Sequence, residues 1–362
     1  MNRASGFVRA LAIGLAAGSV CAWLHTPLPW LIGPLFACAA AGVRRVDLYC
    51  PPSARGAGQW AIGTALGLYF TPEVVARLGH YLLPVLAGVV WAILLGLAFA
   101  WSLRRWARLD PPTAFFGGAV GSASEMAIQG ERSGGAVETI AAVHSLRIML
   151  VVSTIPFAYQ WLGLRGADVH RAAAASVDYA GLALLVALTV GGAVLLRISR
   201  SPNAWVIGPL LVAAGITASG YSLSALPAWI INTGQVFIGI SLGTRFRPGF
   251  FSRAPRTLAV AFVTTLIGIA ASALFGCALG AWAGMPAATM VLATAPGGIA
   301  EMSLTAKVLG LGVPVVTVFH VTRMVAMVMI AGWVYRGLAR TLGWPIDLGP
   351  ALQQPRPAED DD

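Results

Sequence analysis

Gly58-Gln59-Trp60-Ala61-Ile62-Gly63-Thr64-Ala65-Leu66-Gly67 returns later in the same chain as Gly234-Gln235-Val236-Phe237-Ile238-Gly239-Ile240-Ser241-Leu242-Gly243, an offset of 176 residues. The same offset relates Phe70-Thr71-Pro72 to Phe246-Arg247-Pro248, Glu125-Met126 to Glu301-Met302, and His144-x-x-Arg147 to His320-x-x-Arg323. Trp30-Leu31-Ile32-Gly33-Pro34 recurs as Trp205-Val206-Ile207-Gly208-Pro209 at 175. One offset holding through five motifs, with a single one-residue gap, marks a duplication covering roughly residues 8–164 and 180–340.

Composition says what kind of unit was duplicated. Of 362 residues, 57% are hydrophobic and only 10% charged, far from the balance of a soluble chain. A helix needs about 20 mainly apolar residues to cross a bilayer, and stretches of that kind recur from end to end. The chain therefore reads as an all-α integral membrane protein. Its formal charge of +10 would suit nucleic acid only if the basic residues were gathered in one domain or on one helix face. They fall instead in short clusters between apolar segments: Arg3 and Arg9; Arg44, Arg45 and Arg55; Arg104, Arg105 and Arg108; Arg197 and Arg200; Arg245, Arg247, Arg253 and Arg256; Arg336 and Arg340. This is the pattern of cytoplasmic loops, and no nucleic-acid partner is expected.

Arg3 and Arg9 before the apolar run Leu11–Leu24 resemble a signal peptide. The second copy has an equivalent run at Leu182–Leu196, so this segment reads as an uncleaved first helix. The expected layout is a first membrane repeat at 1–164, a linker at 165–179, a second repeat at 180–344 and a tail at 345–362. The tail, with Pro355, Pro357 and Glu359–Asp362, cannot build a core and is expected to be disordered.

Each copy holds six apolar segments, near 8–24, 28–43, 56–70, 80–103, 112–129 and 137–163, and again near 179–197, 203–219, 229–244, 257–283, 287–306 and 313–336. The fifth of each set is interrupted: by Gly117, Gly118 and Gly121 before Ser122, Ser124 and Glu125, and by Pro296, Gly297 and Gly298 before Glu301. Lipid cannot satisfy a broken backbone, so these segments belong where protein or water meets them. The arginine-rich loops follow segments two and four in the first copy but one and three in the second, which gives the copies opposite orientations. An odd number of crossings per copy is then required. The expectation is two inverted-topology repeats, each of five transmembrane helices plus one broken, re-entrant segment, with both termini cytoplasmic at a bacterial inner membrane.

Charged groups at bilayer depth cost about 2.5–3.5 kcal/mol each on insertion scales, so Glu125, Glu301, Arg147 and Arg323 call for partners or a wet cavity. His144 and Arg147, like His320 and Arg323, share a helix face. Each such face is expected to look toward a broken segment, with Glu pairing to Arg, either as a structural lock or as a solute or ion site. The histidines either make interhelical hydrogen bonds or titrate near neutral pH and couple transport to protons. Gly58, Gly63 and Gly67 and their counterparts are expected to serve close packing, while Gln59 and Gln235 bridge helices or touch solute. Gly297 and Gly298 would let the amides of a half-helix approach an anion, or let carbonyls bind Na⁺. The candidate site is thus Gln59, Ser122, Ser124, Glu125, His144, Arg147, Gln235, Pro296, Gly297, Gly298, Glu301, His320 and Arg323.

The paired W-x-x-G-P, G-Q-x-x-I-G-x-x-L-G, A-P-G-G-x-x-E-M and H-x-x-R elements resemble the AbrB-duplication family of bacterial membrane proteins, over nearly the whole chain. The first copy departs from its pattern: Gly117-Gly118-Ala119-Val120-Gly121-Ser122 stands where an A-P-G-G element would be. Family members carry the labels ammonia monooxygenase or AbrB family transcriptional regulator. The sequence holds no helix-turn-helix reader for the second label. Its five scattered histidines and four cysteines lack metal-ligand spacing, which leaves the first label without a metal or cofactor site. No enzyme activity is expected, and no phosphate-cradling Walker element for pumping is present.

The expected function is secondary transport of a small solute, an organic anion or zwitterion, by alternating access around the two broken helices. The partners are the lipid bilayer, the solute and a coupling ion, H⁺ or Na⁺, with a homodimer as one allowed assembly. The alternative is a membrane-embedded regulator or sensor acting on gene expression through a partner, as the family name suggests.

Overall fold

A computed structural model describes residues 3–166 and 176–344. The tail at 345–362 and most of the linker at 165–179 lie outside the described residues. The described chain is helical, with no strand.

Proline sets many of the helix starts, because its fixed φ and missing N–H suit the first helical turn. The first copy contains α1 (Arg3–Trp23), α2 (Pro29–Val43), α3 (Pro52–Gly67), the short α4 (Pro72–Leu78), α5 (Leu82–Trp106), α6 (Pro111–Gly118), α7 (Ala123–Glu131) and α8 (Val137–Trp161). The second contains α9 (Tyr179–Ile198), α10 (Ala204–Ala218), α11 (Ala228–Gly243), the single turn α12 (Phe250–Arg253), α13 (Pro255–Ala283), α14 (Ala287–Thr294), α15 (Ile299–Leu309) and α16 (Val313–Leu342). Six stretches are long and apolar enough to cross a membrane: α1, α4–α5, α8, α9, α13 and α16. By contrast α2, α3, α10 and α11 have only 15 or 16 residues. At 1.5 Å per residue they are shorter than the roughly 30 Å hydrocarbon core. They pack at the centre of the protein rather than standing alone in lipid.

The helices sort into two groups. In one, α1, α2 and α3 interleave with α9, α10 and α11; in the other, α5 to α8 pack with α13 to α16. Within the first group the two copies trade contacts reciprocally. A Cβ on Gly63 of α3 would sit 2.3 Å from the carbonyl oxygen of Val206 in α10, and one on Gly67 would lie 2.6 Å from that of Leu210. The counterparts Gly239 and Gly243 in α11 meet the carbonyls of Leu31 and Leu35 in α2 at 2.5 and 2.6 Å. The glycine spacing thus holds backbones from different copies together, as packing of small residues does in membranes. In the second group Trp91 stacks on Phe275 (centroids 4.5 Å apart) and its Nε1 donates to Ser272 at 3.1 Å.

Each interrupted segment is a helical hairpin. In the first, the N–H of Ala136, just past α7, donates to Thr113 Oγ1 in the first turn of α6 at 2.7 Å, so the chain returns to where it entered. In the second, Gly312 lies against Thr289, the equivalent residue of α14. The half-helices have 8, 9, 8 and 11 residues, too few to cross a bilayer.

Candidate functional site

The hairpin tips are extended: Ala119 has ψ 133° and Ala295 ψ 144°, so α6 and α14 end with carbonyls that no further helical turn can satisfy. The H-x-x-R pairs meet those carbonyls. His144 Nε2 donates to Phe116 O at 2.9 Å, and Arg147 donates to Gly118 O at 3.1 Å and Ala119 O at 2.9 Å. Arg147 also donates to His144 Nδ1 at 2.8 Å, which fits the tautomer protonated on Nε2. In the second copy His320 Nε2 donates to Leu292 O at 2.9 Å, and Arg323 donates to Ala295 O at 2.6 Å and to Gly297 O. A cation at the carboxyl end of a half-helix also complements its dipole.

This corrects the expected Glu–Arg pairing. Both arginines are 93% or more buried; their terminal nitrogens donate to backbone carbonyls, with Arg147 also donating to His144, the buried Nε of each has no partner, and neither forms an ion pair. Among the described residues the ion pair present is Arg9–Asp47 at 3.7 Å. Glu301 instead occupies the third position of α15, and its carboxylate folds back over Gly298 at the helix start, where a Cβ would lie 2.1 Å from Oε2. A carboxylate there satisfies the positive end of a half-helix. The site expected to receive an anion from outside is therefore partly filled by the protein's own acid.

Ten of the thirteen candidate residues line one cavity of about 120 Å³ between the two helix groups: Gln59, Ser122, Ser124, His144, Arg147, Pro296, Gly297, Gly298, Glu301 and Arg323. Both hairpin tips thus reach the same space. Glu125, in the first turn of α7, is not among its lining residues. Gln235 is buried in α11, its Nε2 3.5 Å from Asn232 Oδ1, and His320 lies behind the cavity against Leu292. Three further polar residues, not legible from the repeat, also line it: Arg55 near the start of α3, Asn203 before α10 and Arg245 after α11. Asn203 Nδ2 donates to Ser122 Oγ at 3.2 Å and approaches Met324 Sδ at 2.9 Å, linking a hairpin tip to the other helix group. The missed residues lack charged or amide counterparts, since the offset pairs Arg55 with Ile231, Arg245 with Tyr69 and Asn203 with Leu28. The one sequence signal for Arg55 and Arg245 was membership of arginine clusters, which topology alone explains; Asn203 carried none.

The family model described as transition state regulatory protein AbrB matches residues 30–339. The chain is 27% identical over 350 residues to "Uncharacterized protein YhjN" of Bacillus subtilis (strain 168), covering 90% of this chain and 91% of that protein. It is 24% identical over 306 residues to "Putative regulator AbrB" of Escherichia coli (strain K12), covering 83% and 86%.

Proposed function

Since the chain belongs to the AbrB family, and its described helices include six long and apolar enough for a membrane, we propose that it is a secondary carrier of a small organic anion. Solute crosses by alternating access as one helix group shifts against the other. The observation that carries this reading is the cavity itself: it lies between the two groups, and both broken hairpins end in it. Interrupted helices at corresponding positions of two repeats, meeting at one site, are how secondary carriers bind solute in mid-membrane.

The same reading takes the copies as inverted repeats in a bacterial inner membrane. Contacts between helix ends and loops support it. Arg9 lies by Asp47, Gly42 meets Phe246, Arg256 donates to Trp106 O at 2.6 Å, and Arg104 covers Trp344 at 5.0 Å. These contacts draw the arginine-rich loops of both copies to one face, the cytoplasmic one by the positive-inside rule. At the other face Tyr159 donates to Ala288 O at 2.7 Å, Gln160 to His25 O at 3.0 Å and Gly166 N–H to Leu309 O at 2.9 Å. On this reading the α6–α7 hairpin enters from the cytoplasmic face and α14–α15 from the opposite face. Both termini are then cytoplasmic as well, and the cavity-lining Arg55 and Arg245 lie toward the cytoplasmic ends of α3 and α11.

The test is a thermal-shift screen of detergent-purified protein against small metabolites, across pH and with or without Na⁺, followed by flux of each stabilising solute in proteoliposomes. Stabilisation and saturable flux by the same anion support the carrier. The E. coli relative's name speaks of regulation; binding without flux would favour a membrane-embedded sensor.

A further inference from the structure

The cavity's positive charge is unequally used. Four guanidiniums and one carboxylate line it, a formal +3. Arg147 and Arg323 are committed to the carbonyl ends of α6 and α14, where dipoles of about half a charge each offset them. Glu301 lies on the amino end of α15. Arg55 and Arg245 are different: among the described residues their side chains make no hydrogen bond within 3.5 Å and no ion pair within 4.0 Å, and in the cavity they line they face the Glu301 carboxylate only at longer range. One comes from each copy, and both belong to the helix group opposite the hairpins. Their counterparts Ile231 and Tyr69 carry no charge, so symmetry of the fold does not account for them.

Two guanidinium forks with no hydrogen-bonding acceptor, facing one carboxylate already drawn to a helix start, need a further anionic partner before the junction of the two helix groups can close on them, because a charge withdrawn from water without a partner is heavily penalised. A monoanion satisfies one and leaves the other exposed to that cost. We infer that the solute is a small organic dianion, held by Arg55, Arg245 and Gln59, one turn on from Arg55, on one side and by the polar hairpin tip at Ser122 on the other. Planar, bidentate recognition of carboxylate or phosphate is what guanidinium does better than any other side chain. A zwitterion fits less well, since the one cavity acid, Glu301, is engaged at a helix start. The inference rests on reading this cavity as the solute site and narrows the class of solute.

Binding to purified full-length protein is measured by thermal shift and by titration with succinate, phosphate, butyrate and glycine. The panel is repeated on Arg55→Gln, Arg245→Gln, and Arg197→Gln as an exposed control at the end of α9. Succinate or phosphate is expected to bind at least tenfold more tightly than butyrate or glycine. That advantage should vanish in either cavity variant and persist in Arg197→Gln. Preference for succinate places the charges on separate carboxylates; preference for phosphate places them on one group; both support a dianion. Equal or tighter binding of butyrate or glycine, unchanged dianion affinity in both variants, or no binding of either dianion overturns it. Proteoliposome flux separates this from the carrier reading: a dianion bound but not moved leaves the inference standing and removes the carrier, and flux of butyrate with no preference for dianions does the reverse.

Discussion

Arg323 lies 26 residues and a hairpin tip away from Gly297, yet its guanidinium donates to that residue's carbonyl and, through Nη1, to Ala295 O at 2.6 Å. Arg147 does the equivalent at Gly118 and Ala119. Each arginine closes the backbone of an interrupted helix that lipid could not satisfy.

Removing either arginine should therefore cost folding before it costs binding. Each deletion leaves two buried carbonyls unpaired, at about 1–3 kcal/mol apiece. Arg147→Ala and Arg323→Ala should lower the midpoint of thermal unfolding in detergent clearly more than Glu301→Gln does. Equal midpoints for all three would show that the guanidiniums are not structural.

The glycine contacts give a second test of packing. Gly63→Ala would place a methyl 2.3 Å from the Val206 carbonyl oxygen, which belongs to backbone and cannot turn aside. Overpacking of this kind costs about 1–3 kcal/mol. Gly239→Ala, facing Leu31 O at 2.5 Å, should cost a similar amount. Gly191→Ala, with nothing within 4 Å of its Cβ, should be tolerated. Size-exclusion profiles and melting curves of the three variants check the order.

Much of this was legible in the sequence, for definite reasons. The recurring glycine motif was readable because Gly63 and Gly239 each lie where a Cβ would meet a backbone carbonyl. The hairpins were visible because Gly118 and Pro296 interrupt apolar runs. The partners of the arginines were not legible: three-residue spacing puts His144 and Arg147 on one face, but cannot say whether that face meets a carboxylate or a carbonyl. Glu301 was misassigned for the same reason, since its neighbour is the start of its own helix. Arg55, Asn203 and Arg245 escaped because a search built on symmetry passes over what one copy has and the other lacks.

Glu301 and Gly298 should act together. Gly298→Ala would set a Cβ against the Glu301 carboxylate and drive it off the start of α15 into the cavity, where it competes with an anion. Flux should fall by at least tenfold in Gly298→Ala and recover in part when Glu301→Gln is added. Ser122→Ala, at the equivalent position of the other hairpin, should be milder. A double variant no better than Gly298→Ala would mean that the carboxylate is not what blocks transport.

Sidedness is open to labelling in a background freed of Cys21, Cys38, Cys50 and Cys277. Cysteines at Arg105 and Arg247 should be protected from an impermeant reagent in intact cells, while one at His80 should react. Labelling at Arg105 or Arg247 from outside would sink the inverted arrangement.

Passage of solute through the cavity is open to a counterflow measurement. Proteoliposomes loaded with succinate are placed in trace labelled succinate, and accumulation is followed for wild type, for the Arg55→Gln, Arg245→Gln double variant and for empty liposomes. Wild type should accumulate label transiently and saturably, and the double variant, equally folded, should fall to the empty-liposome level. Specific succinate binding by wild type without accumulation above empty liposomes would contradict that passage.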